Sequence, residues 1–211
     1  MLSVLITRSS SLRPSPESVS RDCSLIAEIR HERLVEFARE WFLHRGSWLT
    51  RVHHACSIAT TVAIIATVVV QGLSWSVTTQ LALAFVALLF PILPLHEGLH
   101  DLAYRAIGAR DLRWAISWRM FAAYVMAHRF VATARPFVVV ALAPFAVINA
   151  LLAGGAMLWT RYAVFFLTLL LLHLAGTSGD WAMLNFLWHH RGRDVVTFDD
   201  AEAGVTYFYG R

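Results

Sequence analysis

In the stretch "PILPLHEGLHDLAYR", residues 91–105, two histidines stand four apart with a glutamate beside the first. On a helix, residues i and i+4 project from one face, so His96 and His100 can hold one metal ion between their imidazoles. Glu97 lies about 100° around the helix from His96, close enough to reach a metal-bound water without ligating the ion. Zinc lowers the pKa of such a water to about 7, and a carboxylate can then take its proton as it attacks a carbonyl. Three protein ligands plus water is the usual catalytic count, so the pair needs a third. Asp180, in "GTSGDW", is the leading candidate, with Gly176 and Gly179 loosening the helix around it. His173, seven residues earlier on roughly the same face, is the reserve ligand. His128, His189 and His190 are weaker reserves.

The elements that must carry these residues are apolar. Hydrophobic residues make up 57% of the chain and charged residues only 15%, too apolar for an ordinary soluble domain of 211 residues. Four apolar stretches each meet the roughly 20-residue length of a bilayer core: 55–73, 80–108 (apolar until His96), 136–158 and 162–188. Kinks are expected at Pro91, Pro94 and Pro144. Between Ser24 and Leu43, apolar residues recur at helical spacing among arginines and glutamates, which predicts an amphipathic helix lying on the membrane or packed on the bundle. The expected fold is therefore all-α: a polytopic bundle of four transmembrane helices with an N-terminal amphipathic helix. Its parts are a tail and amphipathic helix (1–50), a four-span membrane domain (51–190) and a C-terminal tail (191–211). Up to about residue 20 the chain reads as a flexible Ser/Pro/Arg tail. Two cysteines without a CxxC argue against a disulfide framework or a thiolate zinc site.

Arginine placement sets the direction. The N-terminal region, the segment from Arg105 to Arg135 and the C-terminal tail hold every arginine except Arg161, and the chain has no lysine. The net charge of +4 thus follows topology rather than a nucleic-acid partner. By the positive-inside rule both termini and the central loop are cytoplasmic, in a multi-pass protein of the cell membrane. On that arrangement His96 lies about 24 Å along the second span and Asp180 about 27 Å along the fourth, at the helical rise of 1.5 Å per residue. Both fall at one depth near the inner face. Asp101, Asn149, Thr177 and Ser178 are expected to line a water-accessible site there. Tyr124, His128 and Arg129 are candidates for contacting substrate or a developing oxyanion.

HExxH at the end of a second span, followed by "LAYRAIGAR", resembles a family of bacterial and archaeal membrane proteins known as zincin peptidases, formerly a domain of unknown function and allied to the site-2 protease clan. The resemblance extends through "AAYVMAHR" (122–129), "ARPFVVVALAPF" (134–145), "GTSGD" (176–180) and "DDAEAGVTYFYG" (199–210), covering roughly residues 80–211. It implies an intramembrane metalloprotease site with one zinc ion per chain: His96, His100 and Asp180 as ligands and Glu97 as base. Site-2 proteases carry an Asp-Gly pair after Asn-Pro, whereas this chain has Gly179-Asp180 and no Asn-Pro before it.

Three readings compete at this point. The first is a zinc-dependent endopeptidase acting on membrane proteins or peptides at the bilayer. The second is a non-catalytic metal-binding membrane protein, a sensor or transport component using the same ligands. The third is a structural four-helix membrane protein in which HExxH is incidental.

Overall fold

A computed structural model describes residues 14–117 and 122–211. Arg8, Arg13 and Arg119, used above to set topology, lie outside the described residues.

The apolar stretches are helices, as expected. α1 (Pro16–Asp22) is a short helix inside the segment read as a tail, started by a Ser15–Ser18 capping box. After β1 (Ser24–Arg30) and α2 (Leu34–Arg39), α3 runs from Trp48 to Gln71 behind a second capping box at Ser47 and Thr50. α4 (Trp75–Ala87) and α5 (Leu93–Ala106) are joined through a π-helical turn at Leu88–Ile92, where Pro91 withholds an N–H from the regular ladder. Together they form one 32-residue helix. α6 (Ala134–Leu158) is the third long helix. α7 (Ala163–Gly176) and α8 (Ser178–His189) are broken at Thr177 and bent by 47°. Among the described residues three helices are thus long and apolar enough to cross a membrane, and four if the bent pair counts as one span.

The all-α expectation is corrected, because the described chain also carries antiparallel sheet. The strands are β2 (Leu112–Ser117), β3 (Ala122–Ala127), β4 (Ala132–Thr133), β5 (Val196–Asp200) and β6 (Val205–Gly210), in addition to β1. One sheet has the order β1-β6-β5-β4, and β2 and β3 form a separate hairpin. The predicted amphipathic helix over Ser24–Leu43 is a strand in its first third, and it turns helical through a 3-10 turn at His31–Arg33. Within it Ala27 and Ile29 turn inward while Glu28 and Arg30 face out, and Ile29 packs with Phe208 of β6. This alternation has the period of a strand. The C-terminal segment alternates likewise, with Thr206, Phe208 and Gly210 buried. Asp200 Oδ1 accepts the N–H groups of Glu202 and Ala203, and Gly204, at a φ of 66°, closes the turn.

Two of the core clusters tie these elements together. Ala84, Ile148, Leu152, Leu169 and Leu174 interlock α4, α6 and α7. Ile29, Phe186, Leu187, Val195 and Phe208 fasten the sheet onto α8 and the start of α6. The sheet therefore covers the end of the bundle where α5 ends and α6 begins.

Candidate metal centre

The buried face of α5 carries His96, Glu97, His100 and Tyr104. α8 meets it at its first turn, which bears Asp180. That turn is set by the break at Thr177, whose hydroxyl donates to the Leu174 carbonyl at 2.8 Å. His53 Nε2 of α3 lies 3.0 Å from the same carbonyl and bonds it from the other side. The bend satisfies its freed backbone within the bundle, and it aims the N-terminus of α8, the end that favours a carboxylate, toward α5.

His96 Nε2 and His100 Nε2 lie 3.1 Å apart, and each is 3.4 Å from an oxygen of Asp180. All three candidate ligand atoms fall within 4.8 Å of one another. Ligands held tetrahedrally at about 2.0–2.2 Å from one zinc ion are about 3.3–3.6 Å apart. The spacing fits a single ion.

The outer hydrogen bonds fix which ring nitrogens are free. His100 Nδ1 is 3.0 Å from the Val140 carbonyl, which only accepts, so this nitrogen carries the proton and Nε2 is left with its lone pair. Val140 has that carbonyl to spare because the residue four positions on is Pro144, which has no N–H to return. His173 Nδ1 donates to Asn149 Oδ1 at 2.7 Å, so His173 Nε2 accepts from His96 Nδ1 at 3.1 Å. His96 Nε2 is thereby also left with a lone pair. With both rings neutral, two imidazole lone pairs and a carboxylate converge, a set that suits a cation. His173, the reserve ligand, faces the outer nitrogen of His96 and has no atom in the cluster.

Glu97 stands beside the cluster, its Oε1 3.9 Å from His96 Nε2. Its Oε2 accepts the Val125 N–H of β3 at 3.0 Å. One oxygen is anchored to a strand and the other is turned to the centre. Spacing along α5 could not disclose this, since the donor is a backbone group 28 residues away.

A cavity of about 330 Å³ opens over these groups. Gly176, Ser178, Gly179, Val140, Val125 and Tyr124 contribute to its walls, and so does a segment that sequence reasoning left outside the site: His31, Leu34, Val35, Phe37 and Ala38. Behind that segment, His31 Nε2 lies 3.3 Å from Thr206 Oγ1, which donates to Asp199 Oδ1 at 2.6 Å. Burial keeps the His31 imidazole below its usual pKa, so the ring is neutral and donates from Nε2. Burial also pushes the Asp199 carboxyl up to about 6, against the hydrogen bonds from Thr206 and the Ala127 N–H.

The remaining candidates are scattered. Ser178 lines the cavity, whereas Thr177 and Asn149 act behind it on His53 and His173. Asp101 pairs with Arg105 and accepts the Trp114 indole N–H, away from the cavity. Tyr124 is a wall residue set edge-on to His31, with ring centroids 5.7 Å apart. His128 accepts the Ala201 N–H, and Arg129 pairs with Glu17 and Asp200. His189 and His190 bond carbonyls of α8 and pack on Trp41.

Residues 89–193, which span the histidine pair, Val125 and Asp180, match the family described as "Putative zincin peptidase". The chain belongs to that family. No curated protein and no solved structure matches it. A zincin relationship implies zinc, and the convergence of two imidazole lone pairs and a carboxylate suits that ion. The family match begins close to the π-helical turn, so α1 to α3 and the segment that closes the cavity lie outside it.

Proposed function

We propose that this protein is a zinc-dependent intramembrane endopeptidase that cleaves membrane-associated proteins or peptides near the cytoplasmic face. The observation that supports this most directly is the convergence of His96, His100 and Asp180 within 4.8 Å with Glu97 alongside. His96, His100 and Asp180 would hold one zinc ion per chain, which would supply Lewis acidity for polarising water and the scissile carbonyl.

The chain's own groups do the rest. Glu97 takes a proton from the attacking water and returns it to the amide nitrogen as the C–N bond breaks. The Val125 N–H prevents the carboxylate from swinging away, so proton transfer starts from one orientation. The His173–Asn149 and Val140 contacts hold the imidazoles. The mostly apolar cavity accepts an unwound apolar segment, whose carbonyls are exposed only when its helix is broken.

Insertion in the membrane is supported by the outer faces of the long helices, which stay bare. Val70 of α3 is 85% exposed, Phe90 72% and Met157 of α6 79%, and only 11% of the most apolar window of α3 is buried within the chain. Lipid is the solvent that such surfaces fit.

The test is metal analysis of purified protein beside its variants. Wild type should carry one zinc per chain, and His96→Ala and Asp180→Ala should carry little. Glu97→Gln should keep its zinc while turnover falls about 10²–10⁴-fold. Wild-type rates in Glu97→Gln would refute the mechanism.

A further inference from the structure

Tyr104 is held by the core and yet leaves its hydroxyl unused. It lies one helical turn beyond His100 on α5, is only 6% exposed, and packs among Ala109, Val125, Ala127 and Val140. A side chain on a helix leans back over the preceding turn, which here carries His100 and follows the turn of Glu97. A buried phenol ordinarily finds a hydrogen-bond partner. This one has none among the described residues, and it is not sealed like Asn149 Nδ2 and Trp181 Nε1, which are buried without partners. Tyr104 lines the same cavity as Glu97 and the three candidate ligands. The carboxylates of Glu97, Asp180 and Asp199 all lie within electrostatic reach of it. The ring is packed in place, and Tyr104 forms part of the wall of the space where a substrate carbonyl would lie.

We propose that Tyr104 is a catalytic residue that donates a hydrogen bond to the scissile carbonyl oxygen as it becomes an oxyanion. This rests on the peptidase reading above. Water adds to the carbonyl carbon and its proton passes to Glu97. The π pair of the carbonyl moves onto oxygen, where the Tyr104 O–H meets it. The pair returns as the C–N bond breaks, and the leaving nitrogen takes the proton from Glu97. Tyr104 keeps its own proton throughout. Its donor strengthens as charge develops, so it acts on the transition state more than on bound substrate.

The test uses the full zinc-loaded chain in lipid nanodiscs with two probes. One is a quenched fluorescent peptide containing a single apolar helix, and the other is a peptide phosphinate of the same sequence, a tetrahedral mimic. Tyr104→Phe keeps the ring and its packing. It should keep its zinc and its KM, lose about 10²–10³-fold in kcat, and bind the phosphinate more weakly by a similar factor. Wild-type kcat and phosphinate affinity in Tyr104→Phe would overturn the role, as would the same loss in Tyr124→Phe but not in Tyr104→Phe. If Glu97→Gln is inactive while Tyr104→Phe behaves as wild type, the peptidase reading stands and this one falls. Failure of wild type to bind the phosphinate would sink both.

Discussion

At the scale of single residues, the centre is built from contacts that point away from the ion's place as much as from those that point toward it. His96 is aligned by His173 and Asn149, and His100 by a carbonyl that Pro144 has released. Groups of this kind typically contribute 10–100-fold to metal affinity. His173→Phe should therefore weaken zinc binding about 10–100-fold in a competition titration with a chelator. Loss as complete as in His96→Ala would instead make His173 a ligand. Pro144→Ala restores an N–H for the Val140 carbonyl and should weaken zinc by up to about tenfold. Asp199 gives a pH signature. Its folded pKa of about 6 lies above the ordinary 3.8, so the folded state prefers the protonated form. The stability this provides is full below pH 4, falls as pH rises toward 6, and is gone above it. Thermal midpoints of wild type should drop across that window relative to those of Asp199→Asn, which cannot ionise. The convergence of His96, His100 and Asp180 was legible in the sequence because the two histidines share a helix face and Asp180 could be placed at their depth by counting residues. Tyr104, Pro144 and the Val125 N–H were not, because each acts through a neighbour that only the fold supplies.

At the scale of elements, the long helices were legible and the strands were not. An apolar run of 20 residues announces its state by length alone. Over Ser24–Leu43 the apolar positions also satisfy a helical period, and the decision for a strand at Ser24–Arg30 comes from β6, whose Phe208 receives Ile29. The signal that was available lies at "VTYFYG" (205–210), a β-branched and aromatic alternation after a Gly204 turn. β3 is an edge strand on the side of Glu97, so Val125→Pro removes one donor while leaving the pairing with β2 in place. Turnover should fall about 10-fold or more with zinc content unchanged, as expected for the loss of one hydrogen bond to a charged group. Unchanged turnover would mean that the strand does not orient the base. α6 and α7 approach closely at Gly155, where an added Cβ would meet the Phe166 ring at 2.6 Å. Gly155→Ala should cost about 1–3 kcal/mol in unfolding measurements.

At the scale of the whole molecule, the charge and aromatic distribution gives an orientation that can be measured. Arg161 sits in the loop before α7, beside exposed Trp159 and Tyr162, at the end opposite the sheet. Aromatic residues at such a boundary suit the lipid–water interface. In a background with Cys23 and Cys56 replaced by Ser, Gly192→Cys should be labelled by an impermeant thiol reagent only from the cytoplasmic side, and Thr160→Cys only from outside. The opposite pattern would reverse the topology.

The pairing of β1 with β6 reaches across 186 positions, from Ser24 to Gly210. Closing so long a loop is entropically slower than closing the shorter one between His96 and Asp180, and the helices themselves form from local contacts. On refolding, helicity and ion uptake should thus recover ahead of hydrolysis. In the interval the chain would hold its ion without the covering sheet and, on the peptidase reading proposed above, could not yet grip a substrate segment.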